Sequence, residues 1–286
     1  MLPSKNSDLV TIYESNHIVK AGIKVWPDMV RELIDFRGLI WRLIIRDIIA
    51  RYKQSVFGIL WAFMAPLVLM LIFVWVKKKN ILPIGETAMP YAGFVFSGQM
   101  VWLLFSQGII ASTKSMVAAG SMLTKINFPK EVLVFSAVGQ TIFEFLIRVP
   151  LLMIVFVWVG FIPKITILII PLILLPLLFL VVGMGFFLAL LNAVTRDISN
   201  ALGIIMSLGM FVTPIIYPPP TNWPMSFLIN YVNPISIFVT ASRDLLIKGS
   251  ITNPAIYLSS VILSFLLFFV GWRIFHLTEP KVAERV

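Results

Sequence analysis

Cysteine is absent from this chain of 286 residues, and charged residues make up only 13% of it. The first absence excludes disulfides, zinc-thiolate sites and thiol nucleophiles. The scarcity of charge argues against an ordinary soluble domain, in which roughly a quarter of the residues are charged. Because 59% of the residues are hydrophobic, we predict that most of the chain lies in a membrane.

The apolar residues are gathered in blocks that are long enough to cross a bilayer. An α-helix needs about 20 apolar residues to span a hydrocarbon core of roughly 30 Å. The sequence therefore predicts an all-α integral membrane protein with six transmembrane helices. The predicted spans lie at approximately 57–76, 89–112, 132–159, 166–193, 198–217 and 254–276.

The segment before the first span has a different pattern. From Pro27 to Gln54, charged residues recur at spacings of four and seven, and apolar side chains fill most of the remaining helical surface. This predicts an amphipathic helix in the membrane interface, either as a gate element or as a simple anchor. The predicted domains are a cytoplasmic segment 1–26, an interfacial helix 27–56, a six-span domain 57–277 and a cytoplasmic tail 278–286.

The stretch 218–253 is too apolar for a plain loop. Five prolines interrupt it and flank two short apolar patches, 225–232 and 235–247. Short helices that enter the membrane and leave on the same side fit this pattern. Non-helical backbone at that depth requires surrounding protein or a water-filled cavity. We therefore predict outer re-entrant helices at the mouth of a pore.

The net charge of +10 indicates contact with anionic membrane lipids rather than nucleic acid, because no basic soluble domain is present to bind nucleic acid. Sixteen Lys and Arg residues fall on one side of the predicted spans and six on the other. By the positive-inside rule, both termini are expected in the cytoplasm. The run Lys77–Lys79 lies on the outer side and departs from this rule.

Residues typical of catalysis are scarce as well. His17 and His276 have no metal-binding partner at helical spacing, so we interpret both as surface histidines. A phosphate-binding G-x-x-x-x-G-K-[ST] loop is absent. The chain is therefore predicted to be no enzyme, without cofactor or metal, which disfavours a membrane-embedded glycosyl- or phosphotransferase. An ion-coupled carrier is disfavoured because the spans contain few carboxylates.

One pair of opposite charges lies within a predicted span. Glu144 and Arg148 are four residues apart, so their side chains can meet on one helical face. Buried ions are costly unless they are paired. Two interpretations stay open: the pair stabilises the protein, or it faces a polar cavity in which Arg148 binds an anionic substrate group.

The predicted cytoplasmic loop 114–131 contains its own helical pattern. The pattern predicts a short helix, Ser115–Leu123, followed by a break at Phe128-Pro129. Such a helix between two spans is suited to contact a soluble motor protein, although an ordinary connecting loop has a similar pattern.

Five sequence blocks resemble, in the same order, permeases of the type-2 ABC exporters that move polysaccharides. They cover most of residues 40–276. The blocks are RDIIARYKQSVFGILWAFMAPL (46–67), MPYAGFVFSGQMVWLLFSQGI (89–109), TKINFPKEVLVFSAV (124–138), NAVTRDISNALGIIMSLGMFVTPIIYP (192–218) and NPISIFVTASRDLLIKG (233–249).

The resemblance implies a homodimer of six-span permeases joined to two ATP-binding subunits, which would hold the ATP and Mg²⁺. It implies export of lipid-linked polysaccharide (O-antigen, capsule or teichoic acid) across the cytoplasmic (inner) membrane. By the same resemblance, 114–131 is the coupling helix, 27–54 the gate helix, and 218–250 the outer gate ending at Arg243 and Asp244. The first and fifth spans would line a channel across the dimer.

Candidate site residues follow from these roles. Aromatic side chains make sliding contacts with sugar C–H groups, so we expect the channel to be lined by Trp61, Phe63, Trp75, Trp102, Phe105, Phe211 and Tyr217. Cations for a lipid pyrophosphate are expected at Arg42, Arg46, Arg51 and Lys53. The motor is expected to contact Ser115, Met116, Leu123, Lys125, Phe128 and Pro129. The alternative within this class is a permease for drug or lipid efflux.

Overall fold

The computed structural model describes residues 25–53, 55–120, 122–220, 224 and 226–283, and within these ranges every regular element is a helix. The predicted N-terminal segment therefore lies almost wholly outside the described residues, as does His17. The α-helices are α1 (Val25–Asp35), α2 (Arg37–Lys53), α3 (Trp61–Lys78), α4 (Tyr91–Ala119), α5 (Met122–Lys125), α6 (Glu131–Trp158), α7 (Ile170–Val194), α8 (Asp197–Val212), α9 (Pro234–Ile247) and α10 (Pro254–Ala283).

Short helical turns extend three of these elements. A 3₁₀ turn, Gly58–Leu60, leads into α3, and another, Ile165–Ile169, leads into α7. A π-helical turn, Leu228–Val232, precedes α9. With these extensions, five described helices are long and apolar enough to cross a membrane: Gly58–Lys78, Tyr91–Ala119, Glu131–Trp158, Ile165–Val194 and Pro254–Glu279.

The predicted fifth span is shorter in the structure than the sequence suggested. It corresponds to α8, whose 16 residues rise about 24 Å, less than a bilayer core of roughly 30 Å. The helix stops at Thr213, which has an extended backbone. The residue before a proline avoids the helical conformation, and Pro214 follows. The structure therefore supports five candidate spans, and a sixth is not confirmed.

Helix α4 forms the centre of the bundle. In its most apolar stretch, 78% of the residues are buried, whereas 22–33% are buried in the corresponding stretches of the other four candidate spans. It contacts α3, α6, α7, α8 and α9. Close approach to α7 depends on glycine, because a Cβ on Gly108 would stand 2.6 Å from Val181, and one on Gly185 would stand 2.6 Å from Ser112. The outer helices are thus arranged around one scaffold helix.

The predicted interfacial helix is two helices rather than one. The chain turns at Phe36, two residues before Gly38, a poor helix former. Helix α2 then packs along α6, where the absence of a side chain at Gly139 leaves room for Ile44. Placement of α1 and α2 in the membrane interface stays a prediction.

The predicted short helix Ser115–Leu123 is also wrong in its bounds. Helix α4 continues to Ala119 and ends at Gly120, whose φ of +47° is a conformation that glycine adopts readily. A separate helix of one turn, Met122–Lys125, follows. We call residues 122–130 the coupling segment, after the role that the resemblance implies for 114–131; that role stays a prediction.

Candidate functional site

The pair predicted within the third span is formed. Arg148 Nη2 lies 3.1 Å from Glu144 Oε2, and both side chains are buried. A third charge completes the contact, because Arg51 of α2 forms an ion pair with the other carboxylate oxygen of Glu144. Sequence spacing could reveal the first partner of Glu144, but not the second, which comes from a different helix.

The guanidinium of Arg148 is fully engaged with the protein. Its Nε donates a hydrogen bond to the carbonyl of Ala62, and its Nη1 donates to Gln107 Oε1, each over 3.1 Å. Arg148 thus joins α6 to α3 and α4, and Glu144 joins α6 to α2. This arrangement favours the stabilising interpretation of the pair over the substrate-binding one.

A second buried arginine, Arg243, lies near the start of α4. Arg243 of α9 donates hydrogen bonds to the carbonyls of Pro214, Ile215 and Phe94, over 2.5, 2.7 and 2.9 Å. Its guanidinium carbon also lies 3.5 Å from the centre of the Phe94 ring. This single side chain therefore fastens the chain after α8 and helix α9 to the start of α4.

The neighbouring Asp244 stabilises the end of α9. Its carboxylate lies 3.1 Å from Lys248 Nζ and accepts a hydrogen bond from the Thr252 backbone N–H over 3.0 Å. At the other end of α9, the Asn233 side chain caps the helix by accepting from two backbone N–H groups. Helix α9 is thus a well-formed element; its re-entry into the membrane and its action as an outer gate stay predictions.

Three of the residues predicted to contact a motor have buried side chains, namely Met116, Leu123 and Phe128. They pack within this chain and are not available to a partner in this conformation. Ser115 and Pro129 are partly buried. The coupling segment instead exposes three consecutive residues, of which only the first was predicted: Lys125, Ile126 and Asn127.

The predicted channel aromatics fall into two groups. Trp102 and Phe105 are only 6% and 4% exposed and lie against each other inside the bundle, so they cannot contact a substrate in this conformation. The others reach the bundle surface at least in part: Trp61, Phe63, Trp75, Phe211 and Tyr217. The channel-lining role stays a prediction for these five.

Two of the exposed aromatics line an apolar groove. The groove has a volume of about 730 Å³ and lies between α3 and α6. Its walls are formed by Phe57, Leu60, Trp61, Phe63, Met64, Leu67, Ile147, Pro150, Leu151 and Ile154. An apolar groove of this size fits a hydrocarbon chain or a helix of another subunit.

The four basic candidates on α2 are all exposed: Arg42, Arg46, Arg51 and Lys53. Arg51 is committed to Glu144, as described above, and Arg46 Nε lies 2.8 Å from Asp47 Oδ1. Arg42 and Lys53 have no such acidic contact among those seen in the described residues. A role in binding pyrophosphate stays a prediction for the set.

One interpretation from the sequence is wrong. His276 is not a surface histidine, because its side chain is only 26% exposed and its Nδ1 lies 2.8 Å from Glu131 Oε1. Sequence reasoning missed this contact, because the two residues are 145 positions apart and no local periodicity relates them.

These features together define a multi-pass α-helical membrane protein with a compact segment exposed at one end of the bundle. The family model described as "ABC-2 type transporter" matches residues 38–247, and the chain belongs to this family. Members of the family are membrane subunits of transporters. The resemblance predicted from the five sequence blocks is thereby confirmed.

Curated relatives narrow the comparison further. The chain is 27% identical over 264 residues to the O-antigen export system permease protein RfbA of Myxococcus xanthus, an alignment that covers 90% of this chain and 99% of that protein. Two proteins of the same name from Klebsiella pneumoniae are 28% and 27% identical over 247 and 249 residues, covering 84% of this chain and 91% of each relative.

Replacing Arg148 by Met should destabilise the protein by about 1–3 kcal/mol, because the buried Glu144 carboxylate and the Gln107 amide oxygen each lose a hydrogen-bond donor. Arg51→Gln, at the half-exposed partner, should cost less. The thermal unfolding midpoint of the purified protein in detergent measures both effects. A stable Arg148→Met protein that had lost only transport would instead support the substrate-binding interpretation.

Proposed function

We propose that this chain is the transmembrane subunit of an ATP-driven exporter that moves lipid-linked polysaccharide, of the O-antigen type, outward across the cytoplasmic membrane. The observation that carries the proposal is the near full-length similarity to three permeases named for O-antigen export. The match to the ABC-2 family over most of the bundle supports it independently.

The energy for export is proposed to come from two ATP-binding subunits that dock on the coupling segment. The segment supports this because it presents one exposed apolar residue, Ile126, between the polar Lys125 and Asn127. The buried side chains of Leu123 and Phe128 anchor the same segment to the bundle. A force that a partner applies to the exposed residues would therefore reach the bundle through the buried Leu123 and Phe128.

The bundle is proposed to work as a homodimer joined through α3 and α8. Both helices expose many large apolar side chains, and they approach each other where the Phe73 ring lies edge-on to that of Phe211. Small residues recur every four positions along α8, at Ser199, Gly203 and Ser207, and a Cβ on Gly203 would meet nothing within 4 Å. Small residues at such spacing allow close helix approach, so we assign this surface to a second copy.

The substrate path is proposed to run along this dimer surface. The exposed Trp61, Trp75 and Phe211 would offer ring faces to the C–H groups of a sugar chain. Exposed cations on α2, Arg42 and Lys53, would attract the lipid pyrophosphate at the cytoplasmic side. Arg243 and Asp244 would hold the outer gate in the arrangement described above.

Changing Ile126 to Asp should uncouple the permease from its motor, because a charge would replace the apolar residue at the centre of the proposed docking surface. In a host that lacks the native chain, we expect wild type to restore polysaccharide at the cell surface and Ile126→Asp to leave it inside. The matched control is Ile162→Asp, which places the same charge on an exposed apolar residue of the loop between α6 and α7.

Membrane abundance of each variant and its co-purification with the ATP-binding subunit complete the measurement. The expected result is normal abundance with lost co-purification for Ile126→Asp, and normal abundance with retained co-purification for Ile162→Asp. Full export by Ile126→Asp would contradict docking at this surface. An absence of polysaccharide defects in the host that lacks the chain would contradict the proposed function itself.

A single cysteine at Gly203 should join two copies of the chain by a disulfide. The native chain has no cysteine, so the reaction has no background from other thiols. Oxidation of membranes carrying Gly203→Cys is expected to give a product of twice the chain mass on a non-reducing gel. Val157→Cys, which places an exposed cysteine on α6, should stay monomeric. Equal cross-linking of both variants, or of neither, would contradict the dimer surface.

A further inference from the structure

Titratable side chains from two distant parts of the chain meet where the coupling segment joins α6. The ring nitrogen Nδ1 of His276 lies 2.8 Å from Glu131 Oε1, and the backbone N–H of Lys130 donates to Glu279 Oε2 over 3.0 Å. Glu131 is only 3% exposed. The last turns of α10 are thus tied to the residues that end the coupling segment and begin α6.

Both carboxyl groups of this cluster lie beside the peptide bond that joins Lys130 to Glu131. Glu131 Oε2 is buried and has no hydrogen-bond donor among the described residues. Glu279 Oε2 accepts from the Lys130 backbone N–H, so its carboxyl group lies next to the first residue of α6. The contacts of His276 and Glu279 together join α10 to the start of α6.

The Lys130 side chain makes further contacts within the coupling segment. Its Nζ donates to the carbonyl of Phe128 over 2.9 Å and lies 4.4 Å from the centre of the Phe128 ring. Burial lowers the pKa of Lys130, and the carboxylates of Glu279 and Glu131 act in the opposite direction by favouring its charged form. These contacts fix residues 128–131 as one unit, although α5 before them has only four residues.

Helix α1 packs on the same part of α10. The Trp26 ring lies edge-on to Phe269 and Trp272, with centroids 5.3 and 5.8 Å apart. Glu32 of α1 lies close enough for its charge to act on His276, as does the opposite charge of Arg273. The end of α10 is therefore a junction between the coupling segment, α6 and the first helix of the predicted gate.

We propose that Glu131, His276 and Glu279 form a clasp that positions the coupling segment against α10, so that displacement of Lys125–Asn127 is passed to α10 and α1. The three are positioning residues: none touches substrate or nucleotide. The proposal rests on the proposed function for the source of the displacement, but the clasp itself is a property of this chain alone.

Glu279 is the residue to change, because it is only partly buried and its replacement leaves α6 intact. Glu279→Ala removes the acceptor for the Lys130 backbone N–H. Glu279→Gln keeps this contact, since the amide oxygen still accepts from the Lys130 N–H. Thr278→Val is the control, because the Thr278 hydroxyl bonds only to backbone carbonyls of its own helix.

The first measurement is the mobility of a nitroxide attached to Asn127→Cys in the purified full chain, read from its electron paramagnetic resonance spectrum. The native chain contains no other cysteine. We expect a more mobile label in Glu279→Ala, and a spectrum unchanged from the parent in Glu279→Gln and Thr278→Val. A spectrum of Glu279→Ala that matches Thr278→Val would overturn the clasp.

The second measurement is the number of ATP molecules hydrolysed per polysaccharide exported. It uses Glu279→Ala, Glu279→Gln and Thr278→Val without the nitroxide label, each assembled with the ATP-binding subunit. Glu279→Ala should raise this ratio several-fold, and Glu279→Gln should restore it. A mobile segment with an unchanged ratio would overturn transmission through the clasp. If the wild-type complex exports no polysaccharide, the proposed function fails, whereas the nitroxide comparison still decides whether the clasp exists.

Discussion

Charge that is buried among apolar helices must be neutralised by contacts within the protein, and this constraint organises the bundle. An unpaired ion in such surroundings costs several kcal/mol. At the start of α6, Glu131 contacts His276. Farther along α6, Glu144 contacts Arg148. Near the start of α4, Arg243 donates hydrogen bonds to three backbone carbonyls. The first and third contacts join elements that lie far apart in the sequence, and the Glu144–Arg148 pair contacts three other helices through Arg51, Ala62 and Gln107. Satisfying the charges therefore also sets the positions of the helices.

The same three contacts separate a scaffold from elements that transport would move. Helix α4 is buried and surrounded on most sides, which suits a fixed reference. The coupling segment, α2 and α9 lie outside it, and each combines buried apolar side chains with a few polar bonds to the rest of the bundle. Polar contacts of this kind can exchange partners discretely, whereas packed apolar surfaces resist sliding. In the proposed exporter, motion driven by the nucleotide would act on these polar contacts, which lie at defined positions in the bundle.

Much of this architecture could be predicted from the sequence, and the failures have physical reasons. Long apolar blocks give the candidate spans, and the spacing of Glu144 and Arg148 gives their contact, because both signals are local. The length of α8 was overestimated because Pro214 stops the helix within an apolar run. The clasp could not be predicted from the sequence, because no local pattern relates a histidine at the end of one span to a glutamate 145 residues away. Burial of Trp102 likewise depends on which helices surround α4.

In the function that we propose, this chain is a passive conduit and the free energy for export comes from a separate ATP-binding protein. The most direct measurement is transfer of lipid-linked polysaccharide across liposomes that contain the purified chain, with and without that partner and ATP. The account predicts net transfer against a gradient only when both are present and ATP is hydrolysed. Uphill transfer by this chain alone would contradict it.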